Sequence, residues 1–177
     1  MKIPGRKSQS QSCCLRIAVL CAAATLFLPA LPAPVLPAQE KPVPMTHHAT
    51  GTFDVKNAPL PADESTGGPA VGRFALDKQF HGDLEGISKG QMLAAGDPST
   101  GTAGYVAMEY VTGSLQGHSG SFALQHFGTM SGGNFDLNVM VVPGSGKGDL
   151  AGIAGTMKII IAGGKHSYEF DYTLPSK

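Results

Sequence analysis

Tryptophan is absent from the 177-residue chain, and its three cysteines, Cys13, Cys14 and Cys21, all lie near the start. Beyond Cys21, a disulfide framework, a thiolate metal centre and a cysteine nucleophile are therefore excluded. Charge is also sparse, at 15% of residues, with 13 basic against 13 acidic side chains. No acid precedes Glu40, whereas Lys2, Arg6, Lys7 and Arg16 do, which leaves nine basic residues against all 13 acids in the rest of the chain. Those nine are scattered singly, and phosphate binding needs them clustered, so nucleic acid is not an expected partner. A membrane-spanning helix, the alternative reading of the apolar run 17–28, is not expected either: it needs about 20 apolar residues, and Pro29 stops the run short of that.

Residues 1–38 combine a basic start, that short apolar run and the exit Leu36-Pro37-Ala38 before Gln39. This is the order of an export signal cut after a small residue, and it predicts a periplasmic or secreted protein with no stable membrane span after processing. Residues 39–45, with Pro42 and Pro44, are expected to be a flexible leader, followed by a single domain over 46–175.

From Met45 onward apolar residues recur with a period of two, and turn residues follow every ten or so positions. The pattern predicts an all-β domain with strands near 46–55, 71–80, 83–93, 102–112, 119–129, 134–142, 151–161 and 166–174. The last is the clearest, with His166, Tyr168, Phe170, Tyr172 and Leu174 on one face and Ser167, Glu169, Asp171 and Thr173 on the other. Gly163-Gly164 ahead of it predicts a two-residue hairpin turn and hence antiparallel pairing of the last two strands. Residues 57–68, rich in proline and small polar residues, are expected to form a loop.

A short motif recurs in Gly82-Asp83-Leu84-Glu85-Gly86, Gly113-Ser114-Leu115-Gln116-Gly117 and Gly148-Asp149-Leu150-Ala151-Gly152. Its spacing is that of two strands with their turns, so the repeating unit is a hairpin. Gly86, Gly117 and Gly152 are expected where a side chain does not fit. Eight alternating strands that must hide their edges are expected to close into one antiparallel eight-stranded β-barrel, with a β-sandwich as the alternative the same pattern allows.

The strings Thr46-His47-His48-Ala49-Thr50-Gly51-Thr52-Phe53, Leu76-Asp77-Lys78-Gln79-Phe80-His81, Gly104-Tyr105-Val106-Ala107-Met108-Glu109, Gly120-Ser121-Phe122-Ala123-Leu124-Gln125-His126 and Leu150-Ala151-Gly152-Ile153-Ala154-Gly155 carry a resemblance. In order and over nearly all of residues 45–174, the chain resembles a bacterial domain-of-unknown-function family, numbered thirty-two twenty-four. The resemblance implies an allene oxide cyclase-like, calycin-like barrel. It brings no established activity and no catalytic residues to carry over.

Chemical motifs are few. Pro143-Gly144-Ser145-Gly146-Lys147-Gly148 resembles a phosphate loop but lacks the first glycine, the hydroxyl after the lysine and a following helix. His47 and His48 point to opposite faces of a strand, and the other four histidines are far apart in sequence, so neither metal nor cofactor is expected. No nucleophile elbow occurs. What remains is polar residues on apolar faces: Lys78 between Leu76 and Phe80, His126 after Phe122 and Leu124, and His166 and Tyr172 on the inward face of the last strand. Each has a structural explanation, as a snorkelling lysine, a wet tyrosine hydroxyl or a hydrogen-bonded histidine. Glu109 and Glu85 lie on strands whose inward face the pattern leaves open, and both are expected to be solvated. Both faces of the strand around Glu109 are apolar, which suggests a covered outer wall and a homo-oligomer.

Three function classes follow. The first is an exported barrel that binds a small apolar ligand, with Lys78, His126, Tyr172, His166, Glu109 and Glu85 as candidate contacts. The second is an isomerase or cyclase of the allene oxide cyclase kind, by fold analogy alone. The third is a structural or partner-binding barrel whose lumen is filled.

Overall fold

A computed structural model describes residues 45–176. Its strands are β1 (Thr46–Leu60), β2 (Gly72–Gly82), β3 (Leu84–Asp97), β4 (Thr102–Leu115), β5 (His118–Ser131), β6 (Asn134–Val141), β7 (Lys147–Gly148), β8 (Ala154–Ala162) and β9 (Lys165–Thr173). Three 3-10 turns at Glu64–Thr66, Gly68–Ala70 and Pro98–Thr100 complete the elements. The export segment and almost all of the expected leader lie outside the described residues. Among the described residues no helix is long and apolar enough to cross a membrane.

Each long strand pairs antiparallel with its neighbours in the order β1-β2-β3-β4-β5-β6-β8-β9, and β9 returns to β1. The ring is thus a closed eight-stranded barrel, and the two-residue β7 adds to β5 outside that order. Closure removes the sheet edges that an eight-strand meander would otherwise expose. The expected hairpin at Gly163-Gly164 is present, with Ala162 paired to Lys165 and both glycines at positive φ.

The expected loop over 57–68 is shorter than predicted. β1 continues to Leu60, with Asn57 opposite Leu76 and Leu60 opposite Arg73. Its pairing with β9 ends at Phe53 opposite His166, so the continuation is bonded on one side only, and there a proline such as Pro59 is tolerated as on an edge strand.

The repeated motif marks successive chain reversals at one end of the barrel: the β2–β3 turn, the β4–β5 turn and the connection from β6 to β8. Its three leucines, Leu84, Leu115 and Leu150, are all buried. Leu150 and Ile153 of the β6–β8 connection pack into the same cluster as Phe80, Phe122, Phe170 and Tyr172, so this end is plugged. Ser145 ties the connection down, its Oγ accepting from the Ala123 amide and donating to the Val142 carbonyl. The loop that resembles a phosphate site therefore belongs to the plug. The motif glycines are constrained for different reasons. A Cβ at Gly86 would stand 2.8 Å from the Gly113 Cα, whereas Gly117 has open space around it and a φ of 88°.

Candidate functional site

At the end opposite the plug, where β3 turns into β4, β5 into β6 and β8 into β9, the lumen stays open. A cavity of about 220 Å³ lies there, between walls that include Phe53, Val55, Leu76, Leu137 and Ile159. Lys78 and His126 reach it from the buried core, and Asn57, Tyr105 and His166 add polar atoms to its sides. Strand alternation accounts for this arrangement. On β2 the inward set Leu76, Lys78 and Phe80 is buried, and on β5 Phe122, Leu124 and His126 are.

Glu109 corrects the sequence reading. On β4 the buried positions are Ala107, Glu109, Val111 and Leu115, and the carboxyl is sealed inside the barrel rather than solvated. Its Oε1 accepts from Lys78 Nζ at 2.8 Å and from His126 Nε2 at 2.8 Å. Its Oε2 accepts from Ser88 Oγ at 2.6 Å. Burial pushes the Glu109 carboxyl pKa up, but the His126 hydrogen bond and the nearby charges of Lys78 and His126 outweigh it and bring the value down to about 2. Glu109 is therefore ionised, and as an acceptor-only carboxylate it requires His126 Nε2 to carry the proton. The Lys78 ammonium also sits 5.0 Å from the centre of the Phe53 ring, a cation–π contact that further offsets its burial. Tyr105 stays neutral, because burial first and the Glu109 charge second push its phenol up to about 12.

The candidate residues thus fall into three groups. Lys78, His126 and Glu109 form one hydrogen-bonded cluster, and His166 lies on the cavity wall with its ring 5.1 Å from that of Phe53. Tyr172 is buried at the plugged end, where its hydroxyl donates to Gln116 Oε1 at 2.8 Å and its ring stacks on His47. Glu85 is on the outer side of the wall, accepting from the Gly82 amide at 2.8 Å. Neither is brought to the cavity. Ser88 escaped the sequence reading, although β3 carries a signal for it: Leu84, Gly86, Ser88 and Gly90 alternate with the larger polar or exposed Glu85, Ile87 and Lys89. Among the described residues no group of three or more His, Cys, Asp or Glu is placed to hold a metal ion.

Comparison with known proteins adds three findings. The family model described as "Protein of unknown function (DUF3224)" matches residues 49–172. A solved structure of a protein with unknown function from that family, from Shewanella oneidensis, is 49% identical, with a TM-score of 0.68 over 75% of this chain and 100% of the other. No curated protein matches.

Proposed function

The chain belongs to the DUF3224 family, and from that premise we propose that it is an exported barrel that takes one small, mainly apolar molecule into the open end of its lumen. The observation that carries this reading is an apolar cup whose inner end is a hydrogen-bonded Lys78–Glu109–His126 cluster built on a sealed, ionised carboxylate. Binding sites are typically apolar hollows with a few fixed polar groups. At about 220 Å³ this one is below the roughly 300–1,000 Å³ of drug-sized sites, which favours a short ligand. A lumen filled throughout is less favoured, because the packing that plugs one end stops short of the other.

Native mass spectrometry against a panel of short acids, alcohols and ketones tests the reading. One ligand per chain is expected, and it is lost when Val55→Trp fills the cup. A panel with no binder would overturn it. Export is tested separately, by N-terminal sequencing of protein made in a bacterial host. A start at Gln39 is expected, and a product that keeps Met1 would refute the signal.

A second reading has one observation in its favour. His126 faces the cup while its other nitrogen is held by an ionised carboxylate, the arrangement of a general base and its orienting group. An isomerase built on it would exchange an acidic C–H of a bound ketone with solvent deuterium, and His126→Gln would abolish that exchange.

A further inference from the structure

The charges around the cup define which head group it accepts. Lys78 and Glu109 cancel, and Ser88 is neutral, so with a neutral imidazole the buried cluster carries no net charge. A carboxylate entering the apolar cup would then be a buried, uncompensated negative charge, which is strongly unfavourable. One proton added to the cluster removes that imbalance.

His126 has an open position for that proton. Its Nε2 is committed to Glu109, so the nitrogen left is Nδ1, which has no hydrogen-bond partner among the described residues. Every fully buried side-chain nitrogen and oxygen among the described residues is satisfied, so Nδ1 must touch free space, and the free space beside His126 is the cup. In the neutral ring Nδ1 is an acceptor, and on protonation it becomes a second donor. The groups around His126 include one carboxylate, the ionised Glu109, and one further imidazole, that of His166 on the cup wall. β4 contributes Glu109 and Tyr105, β2 contributes Lys78, β3 contributes Ser88, β9 contributes His166, and β6 contributes only the apolar Leu137 and Val139.

We propose that the cup is selective for carboxylic acids of short to medium chain length and that each acid is bound together with one proton, held on His126. The step balances simply: carboxylate, neutral protein and one proton from solvent give a carboxylate facing His126 Nδ1–H, with Nε2–H still donating to Glu109. Lys78 has donors beyond the one given to Glu109 and supplies a second contact to the head group. The acyl chain then lies against Phe53, Val55, Leu137 and Ile159. This proposal rests on the ligand-binding reading above and names its ligand class.

Titration calorimetry of the full chain with octanoate tests it, run at one pH in buffers of different ionisation enthalpy. Uptake of close to one proton per octanoate is expected, with octanoate affinity falling as pH rises. The alcohol 1-octanol is expected to bind with no proton uptake and no pH dependence. His126→Gln is expected to weaken octanoate at least tenfold and to abolish the proton uptake. Octanoate binding without proton uptake by the unaltered chain would overturn the proposal and leave ligand binding intact, with no variant needed. Failure of both acid and alcohol to bind would overturn the underlying reading as well.

Discussion

Lys78 and Glu109 lie on β2 and β4, with all of β3 between them, and still Nζ stands 2.8 Å from Oε1. The intervening strand allows this because Ser88, small and inward-facing between them, donates to the other carboxylate oxygen. Removing one partner of a sealed pair leaves the other charge stranded, which costs more than the pair contributes. Glu109→Gln is expected to lower stability by about 3–5 kcal/mol in urea melts. Lys78→Met combined with Glu109→Leu is expected to recover most of that loss, since neither charge then remains. Equal losses for the single and double variants would show that the cluster's packing, and not its charge, is what matters.

Acid should act on the same group. The folded Glu109 carboxyl, at about 2, lies below its unfolded value of 4.5. Its contribution is therefore complete above the ordinary carboxylate range and is lost as pH falls from about 4.5 through about 2. Asp63 and Asp97, held down by hydrogen bonds from Ser65 and Ser99, share this sign from exposed positions. Thermal melts between pH 7 and pH 2 are expected to show a falling midpoint over that window, with a shallower fall in Glu109→Gln.

Valine at two of the repeat glycines separates two kinds of constraint. Gly86→Val drives a side chain into the backbone of β4, whereas Gly117→Val meets open space and suffers only from its left-handed φ. Each is expected to cost roughly 1–3 kcal/mol, with Gly86→Val the larger. Gly117→Asn should cost less than Gly117→Val, because asparagine enters that region more readily. Denaturant melts of the three variants give the ranking.

The outer wall of β3, β4 and β5 presents rows set by register: Leu93, Val106 and Phe127, then Gln91, Met108 and Gln125. Val106 is 53% exposed and Met108 51%, and these two rows hold no charge. A patch of this kind suits a second copy of the same chain, since uncharged rows meet their own image without repulsion. Sedimentation at micromolar concentration is expected to show an oligomer that Val106→Lys returns to monomer. A monomeric unaltered chain would contradict this.

Much of the barrel was legible because a half-buried strand writes its inside and outside into alternate letters. The inward sets Leu76, Lys78 and Phe80 and Tyr168, Phe170 and Tyr172 could be read directly. The limits of β1 were harder, since Pro59 signals a loop in sequence and is admitted to a strand only when one side goes unpaired. Glu109 could not be placed from β4 alone, where Tyr105, Ala107 and Val111 on one side balance Val106, Met108 and Tyr110 on the other. Its position follows from partners 31 and 17 residues away, and only the register of the closed ring brings Lys78 and His126 to it. Tyr172 shares a face with His166 yet lies at the far end of the lumen, because alternation encodes the side of a strand and says nothing of depth along it.

The joint between β6 and β8 is tied at a single pair, Met140 with Thr156, whereas β8 and β9 are zipped from Ala154–Thr173 to Ala162–Lys165. Leu137 and Ile159 of the cup wall stand on either side of that joint. The bore is thus riveted around most of its circumference and merely laced along one slit. A guest too wide for the resting hollow can part the lacing there without stripping a full ladder of backbone bonds, so girth should be filtered more loosely than the chemistry of the head.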